Sequence, residues 1–169
     1  MMSSNIILIG FMGSGKSTVG RILSKKCDKY FLDTDTMIES SEGLRVRQIF
    51  ENSGESSFRE MEKELALWLS KNVTNAVIST GGGMPSVVES FENMGQCVYL
   101  KIGFDELLER LKAEEFDKRP LFQDIEFARK IFNSRIPIYE KHAGITIDAM
   151  DTPHNIADKI REIIPQYFL

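Results

Sequence analysis

Residues Gly10 to Thr18 read Gly-Phe-Met-Gly-Ser-Gly-Lys-Ser-Thr, an unbroken G-x-x-x-x-G-K-[ST] pattern. The apolar run Asn5-Ile6-Ile7-Leu8-Ile9 comes just before it and reads as a buried parallel strand. Thr18-Val19-Gly20-Arg21-Ile22-Leu23 comes just after and reads as the start of a helix. Strand, glycine-rich loop and helix in that order make a phosphate cradle. Gly10, Gly13 and Gly15 open backbone conformations closed to other residues, so successive N–H groups can turn toward one anion. The helix N-terminus adds partial positive charge at the same point. Gly13, Ser14, Gly15, Lys16, Ser17 and Thr18 are therefore candidate nucleotide contacts. Lys16 reaches the outer phosphates as a point charge, and Ser17 offers its hydroxyl to Mg²⁺. A nucleoside triphosphate with Mg²⁺ is the expected ligand; the loop does not decide where the γ-phosphate goes.

At 169 residues the chain fits one domain, residues 1–169, long enough to bury a real core. Its 42% hydrophobic and 27% charged content is ordinary for a soluble globular protein. A net charge of −4 argues against a general nucleic-acid binder, which needs a basic field to track phosphates. Cys27 and Cys97 stand far apart with no C-x-x-C and read as reduced, buried or half-buried thiols. His142 and His154 have no Cys or carboxylate at zinc-ligand spacing and read as solvated. No signal peptide and no membrane-length apolar run is expected. No surface apolar stripe stands out. The expectation is a cytoplasmic monomer with neither nucleic-acid nor membrane partners.

Short apolar runs alternate with helical stretches along the rest of the chain. Tyr30-Phe31-Leu32 reads as a strand running into Asp33-Thr34-Asp35. Met37 to Ser41 and Val46 to Asn52 read as short helices, the second ending before Gly54. Glu55 to Lys71 reads as a strong helix, with Phe58, Met61, Leu65, Trp68 and Leu69 at three- and four-residue spacing as its core stripe. Ala76-Val77-Ile78-Ser79, Cys97 to Ile102 and Ile145 to Asp148 read as further strands. Asp105 is expected to cap a helix through Leu111, and Ile125 to Lys141 to form a helix broken near Pro137. Pro153 opens a last helix to Ile164. The alternation predicts an α/β fold, three layers with a five-stranded parallel sheet. Ligands of such sheets bind at the carboxyl ends of the strands. Three strands end there in unusual chemistry: the phosphate loop, Asp33-Thr34-Asp35 and Thr80-Gly81-Gly82-Gly83. The charged stretch from Lys112 to Asp124 reads as a lid over the phosphates.

Each constellation admits a bland reading beside the chemical one. If the Asp33–Asp35 segment is extended, both carboxylates share a side, one toward Mg²⁺ and one toward a second substrate; either could equally cap the next helix. The strand before Thr80 lacks a terminal Asp of the kind that often supports Mg²⁺ in phosphate-loop enzymes, which leaves Asp33 as its replacement, with Ser79 assisting. Gly81 to Gly83 form either a tight turn or a backbone surface brought close to a small polar ligand. Arg59 and Glu62 are either an exposed ion pair or a pinned guanidinium able to grip a carboxylate. Arg119 could neutralise a transferring phosphoryl group, Arg135 could contact an anion, and Arg110 with Pro153 could wall an adenine slot. No Asn-Lys-x-Asp guanine-reading motif is present, which weighs against a GTP switch. Another small-molecule or nucleoside-monophosphate kinase on the same scaffold and a regulatory nucleotide-binding module are the competing readings.

Taken together, Gly10–Thr18, Asp33-Thr34-Asp35, Phe58-Arg59 with Glu62, Thr80 to Gly83, Arg119-Pro120-Leu121 and Arg135 resemble shikimate kinase in order and spacing over essentially the whole chain. The resemblance implies a P-loop kinase fold with a lid at about 112–124 and a substrate-binding helical segment at about 33–62. It implies ATP-dependent phosphorylation of the 3-hydroxyl of shikimate, in aromatic amino-acid biosynthesis. Asp35 would read the substrate hydroxyls and serve the attacking one. Arg59 and Arg135 would clamp the carboxylate, and Gly81, Gly82 and Gly83 would close over the ring. Phe58 and Phe11 or Met12 would supply apolar walls. Lys16 and Arg119 would stabilise the transferring phosphate, and Ser17 with Asp33 would hold Mg²⁺.

Overall fold

The computed structural model describes residues 4–113 and 120–167. In it Ile6–Ile9 forms β1, and all four side chains are buried. A strand with no exposed face needs partners on both edges and helices on both faces. β3 (Ala76–Ser79) pairs with one edge and β4 (Gln96–Lys101) with the other. β2 (Tyr30–Asp33) and β5 (Ile145–Asp148) complete a parallel sheet of order β2-β3-β1-β4-β5. The helices are α1 (Lys16–Lys26), α2 (Thr34–Glu42), α3 (Val46–Asn72), α4 (Phe104–Ala113), α5 (Ile125–His142) and α6 (Pro153–Ile163). The three-layer α/β arrangement read from the sequence is the one found. No described helix is long and apolar enough to cross a membrane.

The core divides unequally. One large cluster takes the sheet and the flanking helices, including Leu8, Leu23, Leu69, Ile78, Leu100 and Ile160. A small second cluster, Ile38, Ile49 and Phe58, joins α2 to α3. Leu65 is half-buried against both.

Several expectations need correction. Asp33-Thr34-Asp35 is not extended: α2 begins at Thr34, and the Asp33 carboxylate caps it, accepting from Thr36 N–H at 3.1 Å. The helices on either side of Gly54 stack as one element, α3, kinked at that glycine (φ 83, ψ 165). Its apolar stripe holds for Phe58 and Leu69, but Trp68 is 51% exposed; the neighbouring Leu69 faces the core in its place. Pro137 does not break α5. Its ring removes one N–H, yet Phe132 and Tyr139, buried on either side, anchor the helix through the defect. Asp105 sits inside the first turn of α4 rather than capping it, and its Oδ1 accepts from Arg129 at 2.7 Å. His142 is half-buried, with Nε2 3.0 Å from the Pro85 carbonyl and its ring edge-on to Phe91. Pro153 does open α6, behind a Thr152 cap. Cys27 and Cys97 are free thiols, half-buried and buried.

Candidate active site

The phosphate loop turns from β1 into α1 through three glycines of positive φ: Gly10 (147), Gly13 (83) and Gly15 (93). Gly10 shows why the residue type is needed, since a Cβ there would lie 2.8 Å from the Leu100 carbonyl oxygen. Lys16 opens α1 and is buried, its ammonium donating to the carbonyls of Gly10 at 2.8 Å and Phe11 at 2.9 Å. The charge is thereby held over the loop.

Ser17 Oγ donates to Asp33 Oδ2 at 2.7 Å and lies 3.2 Å from Ser79 Oγ. The sheet makes this meeting, because parallel pairing sets Asp33 opposite Ser79. Asp33 thus caps α2 with one oxygen and accepts from Ser17 with the other. The three groups are hard oxygen donors, the chemistry that suits Mg²⁺ when phosphate oxygens and water complete the shell. Among the described residues no cluster of three His, Cys, Asp or Glu forms a metal cage.

A crevice of about 440 Å³ lies over the loop. Asp35, Gly81 and Gly82 line it together with the loop, as do Arg110, Asp151 and Pro153. Arg110 donates to the carbonyls of Ser14 and Ala149, tying the phosphate loop to the segment after β5.

Around the glycine triplet three helices converge. None of the three glycines has a positive φ; what they provide is space. A side chain on Gly81 would collide with Asp35 Oδ1 and stand 3.1 Å from Glu62 Oε1. On Gly82 it would meet the Met12 amide at 3.3 Å and an Arg135 nitrogen at 3.6 Å, and on Gly83 it would strike the Arg59 guanidinium. The Gly81 N–H donates to Thr34 Oγ1 at 2.9 Å, which ties the triplet to α2.

Glu62 is fully buried and accepts from Arg59 at 2.6 Å, while Glu55 takes the other edge of the same guanidinium from solvent. Burial pushes the Glu62 carboxyl above the usual carboxylate range, and the Asp35 charge adds to this against the pull of Arg59 and Arg135. Asp35 is raised for the same first reason, burial, with Asp33 reinforcing and Lys16 opposing. Arg135 reaches over the Phe11 ring, 5.6 Å from its centroid. Phe11 itself is buried against Phe132. Phe58 is buried in the small cluster and lies under Arg59. Arg119 lies outside the described residues, as do residues 114–119 of the expected lid.

Sequence reasoning passed over Thr34, Tyr139 and Asp151. Tyr139 donates to the Gly82 carbonyl at 2.6 Å. Its position four residues after Arg135 on a helix was the available signal. Asp151 lines the crevice, and hydrogen bonds from Lys159, Asn155 and Thr152 hold its carboxyl down at about 2.

The family model for shikimate kinase matches residues 12–165. The chain belongs to the shikimate kinase family. A shikimate kinase of Helicobacter hepaticus (strain ATCC 51449 / 3B1) is 47% identical over 158 residues, 94% of each chain. One of Sulfurihydrogenibium sp. (strain YO3AOP1) is 41% identical over 160 residues, 92% of this chain and 95% of the relative. Among solved structures, the shikimate kinase from Acinetobacter baumannii in complex with shikimate has a TM-score of 0.85 at 32% identity, covering 100% of this chain and 96% of that one. A gluconokinase from Sinorhizobium meliloti 1021, with a TM-score of 0.63 at 15% identity over 97% and 93% of the two chains, shares the fold alone.

Proposed function

We propose that this protein transfers the γ-phosphoryl group of ATP to the 3-hydroxyl of shikimate, giving shikimate 3-phosphate and ADP. One observation carries the reading: Asp35 shares a crevice with the phosphate loop, and the glycine triplet beside it is flanked by the guanidinium groups of Arg59 and Arg135. A carboxylated polyol suits that arrangement. Two arginines hold the carboxylate, a carboxylate reads the hydroxyls, and a side-chain-free surface lets the ring approach.

In this reading the 3-hydroxyl oxygen attacks the γ-phosphorus as the bond to the β–γ bridging oxygen breaks, and ADP leaves. Asp35 accepts the hydroxyl proton; its raised pKa makes it the better acceptor. Lys16 neutralises charge on the outer phosphates, and Gly13 to Thr18 cradle the others. Arg119 serves the transferring group, and Arg110 with Pro153 bounds the adenine. Ser17 and Asp33 would hold Mg²⁺, which when bound screens phosphate charge. Catalysis here rests on alignment and neutralisation.

Residues 1–169 act in this reading as one kinase domain, with 33–62 as the shikimate-binding segment. Two free thiols suit a cytoplasmic, reducing setting. The exposed large apolar side chains are spread over β2, α3, α5 and α6 or lie near them, as suits a monomer.

The test is a coupled ADP-release assay with Mg²⁺-ATP and either shikimate, no acceptor or a panel of nucleoside monophosphates. Release only with shikimate is expected. Release with a nucleotide instead would overturn the acceptor and leave the fold standing.

A further inference from the structure

Three glycines in a row have no side chains with which to fix themselves, and ordering them costs more backbone entropy than ordering any other residues. Something outside the triplet must set its peptide planes. The Gly81 N–H is fixed by Thr34 Oγ1. The Gly81 and Gly83 carbonyls accept from the Met84 and Ser86 N–H groups of the following turn at 3.2 and 2.9 Å, and the Gly82 carbonyl between them accepts from the Tyr139 hydroxyl at 2.6 Å. Tyr139 is 1% exposed, and its ring lies against Tyr99 at 5.3 Å between centroids. One turn further along α5, His142 meets the Pro85 carbonyl. One turn back, Arg135 stands beside Gly82, and its charge acts on the Tyr139 phenol. A single helix therefore carries Arg135 and holds one carbonyl of the glycine segment and one of the turn that follows it.

Resting on the reading of Arg135 and the triplet as the shikimate carboxylate site, we propose that the Tyr139 hydroxyl is a positioning group for that site. It fixes the Gly82–Gly83 peptide plane to α5 and holds Arg135 in register with it. The peptide is planar and trans, so pinning the carbonyl also sets the direction of the Gly83 N–H on its far side. The phenol donates to the Gly82 carbonyl, and Arg135 stands beside that same glycine, so Gly82 couples the two halves of the site. Burial and the nearby Tyr99 raise its pKa, so the donor proton stays in place over the working range of pH.

Tyr139→Phe keeps the ring and removes the strut. Wild-type protein must first release ADP with shikimate; if it does not, the functional reading fails and this inference is not what failed. Given that activity, the variant is expected to raise the KM for shikimate about tenfold, the factor that one lost hydrogen bond represents, with the KM for ATP within about twofold. Combining it with Arg135→Lys is expected to cost less than the product of the two single effects, because both act at Gly82. An unchanged shikimate KM, equal rises in both KM values, or strictly multiplicative losses would each overturn the proposal. A second reading needs no substitution at 139. With 3-fluorotyrosine at the four tyrosines, the ¹⁹F line of residue 139, assigned by removing the other three in turn, is expected to shift on adding shikimate and to stay in place on adding ADP. A line that does not respond to shikimate would also sink the idea.

Discussion

Asp35 and Glu62 close on Gly81 from two different helices, and each keeps one buried carboxylate oxygen there without a hydrogen-bond partner. Burial raises both pKa values, Asp33 adds to this at Asp35 and Asp35 adds to it at Glu62, so the ionised carboxylates work against the fold. For an acid whose native pKa is raised, the penalty is absent below the unfolded pKa. It grows as pH climbs through the window up to the native pKa and is complete above it. Asp35→Asn is therefore expected to raise Tm at pH 7 to 8, by about 2–4 °C for each kcal/mol relieved. The gain is expected to vanish below about pH 4, where the unfolded carboxylates protonate. Turnover is expected to fall at least about a hundredfold, the scale of a lost general base. Thermal melts at the two pH values check the first part; a lower Tm at neutral pH would contradict it.

Gly81→Ala tests the space rather than the charge. The backbone there is not in the left-handed region, so an alanine is tolerated conformationally and its methyl displaces Asp35 instead. The expected result is a loss of about a hundredfold in kcat/KM for shikimate, the scale of a misplacement near 1 Å, with ADP affinity kept. Calorimetric titration of ADP beside the kinetic assay separates the two. Equal losses in both would mean that the phosphate loop had moved as well.

Asp33 caps α2 and, in the proposed reading, serves Mg²⁺, and a pair of substitutions can separate the two. Asparagine caps helices as well as aspartate does, whereas alanine forfeits the cap at about 0.5–2 kcal/mol. Asp33→Asn is thus expected to keep Tm within about a degree or two while raising the Mg²⁺ concentration for half-maximal activity about tenfold. Asp33→Ala is expected to show the same Mg²⁺ shift together with a lower Tm. Identical Mg²⁺ titrations for wild type and Asp33→Asn would remove the carboxylate from the metal's shell.

Arg59 is gripped by Glu62 from inside and Glu55 from outside. Arg59→Ala is expected to raise the KM for shikimate at least about tenfold and leave that for ATP nearly unchanged. Arg59→Lys is expected to fall between, keeping the charge and losing the fork. A shikimate KM that ignores both changes would take Arg59 out of the site.

The sheet and the phosphate loop were legible in the sequence because both rest on short-range rules. Fully apolar four-residue runs such as Ile6–Ile9 have only one use in an alternating α/β chain, and Gly10, Gly13 and Gly15 sit where a positive φ is required. The convergence of the Asp33 segment and the triplet on one crevice followed from strand ends alone. What escaped depended on contacts distant in sequence. That Asp33 both caps α2 and meets Ser17 could not be read until the β2–β3 register set it beside Ser79. Trp68 fits the helical stripe by spacing, but spacing does not say where the layer of contacts ends. Pro137 predicts a break from local geometry, and packing on both sides overrides it. Tyr139 and Thr34 carry no signature of their own, since each acts by reaching a glycine that only the fold brings near.

The small cluster of Ile38, Ile49 and Phe58 touches the main core through Leu65 and spans the kink at Gly54. A patch that buries so little can open alone, well before the sheet does. Mild heat or dilute urea is then expected to disable the acceptor side first: hydrogen exchange accelerates in α2 and the first turns of α3 while ADP still binds. On that account the protein goes blind to shikimate as an intact nucleotide-binding body, and its inactivation temperature lies below its melting temperature.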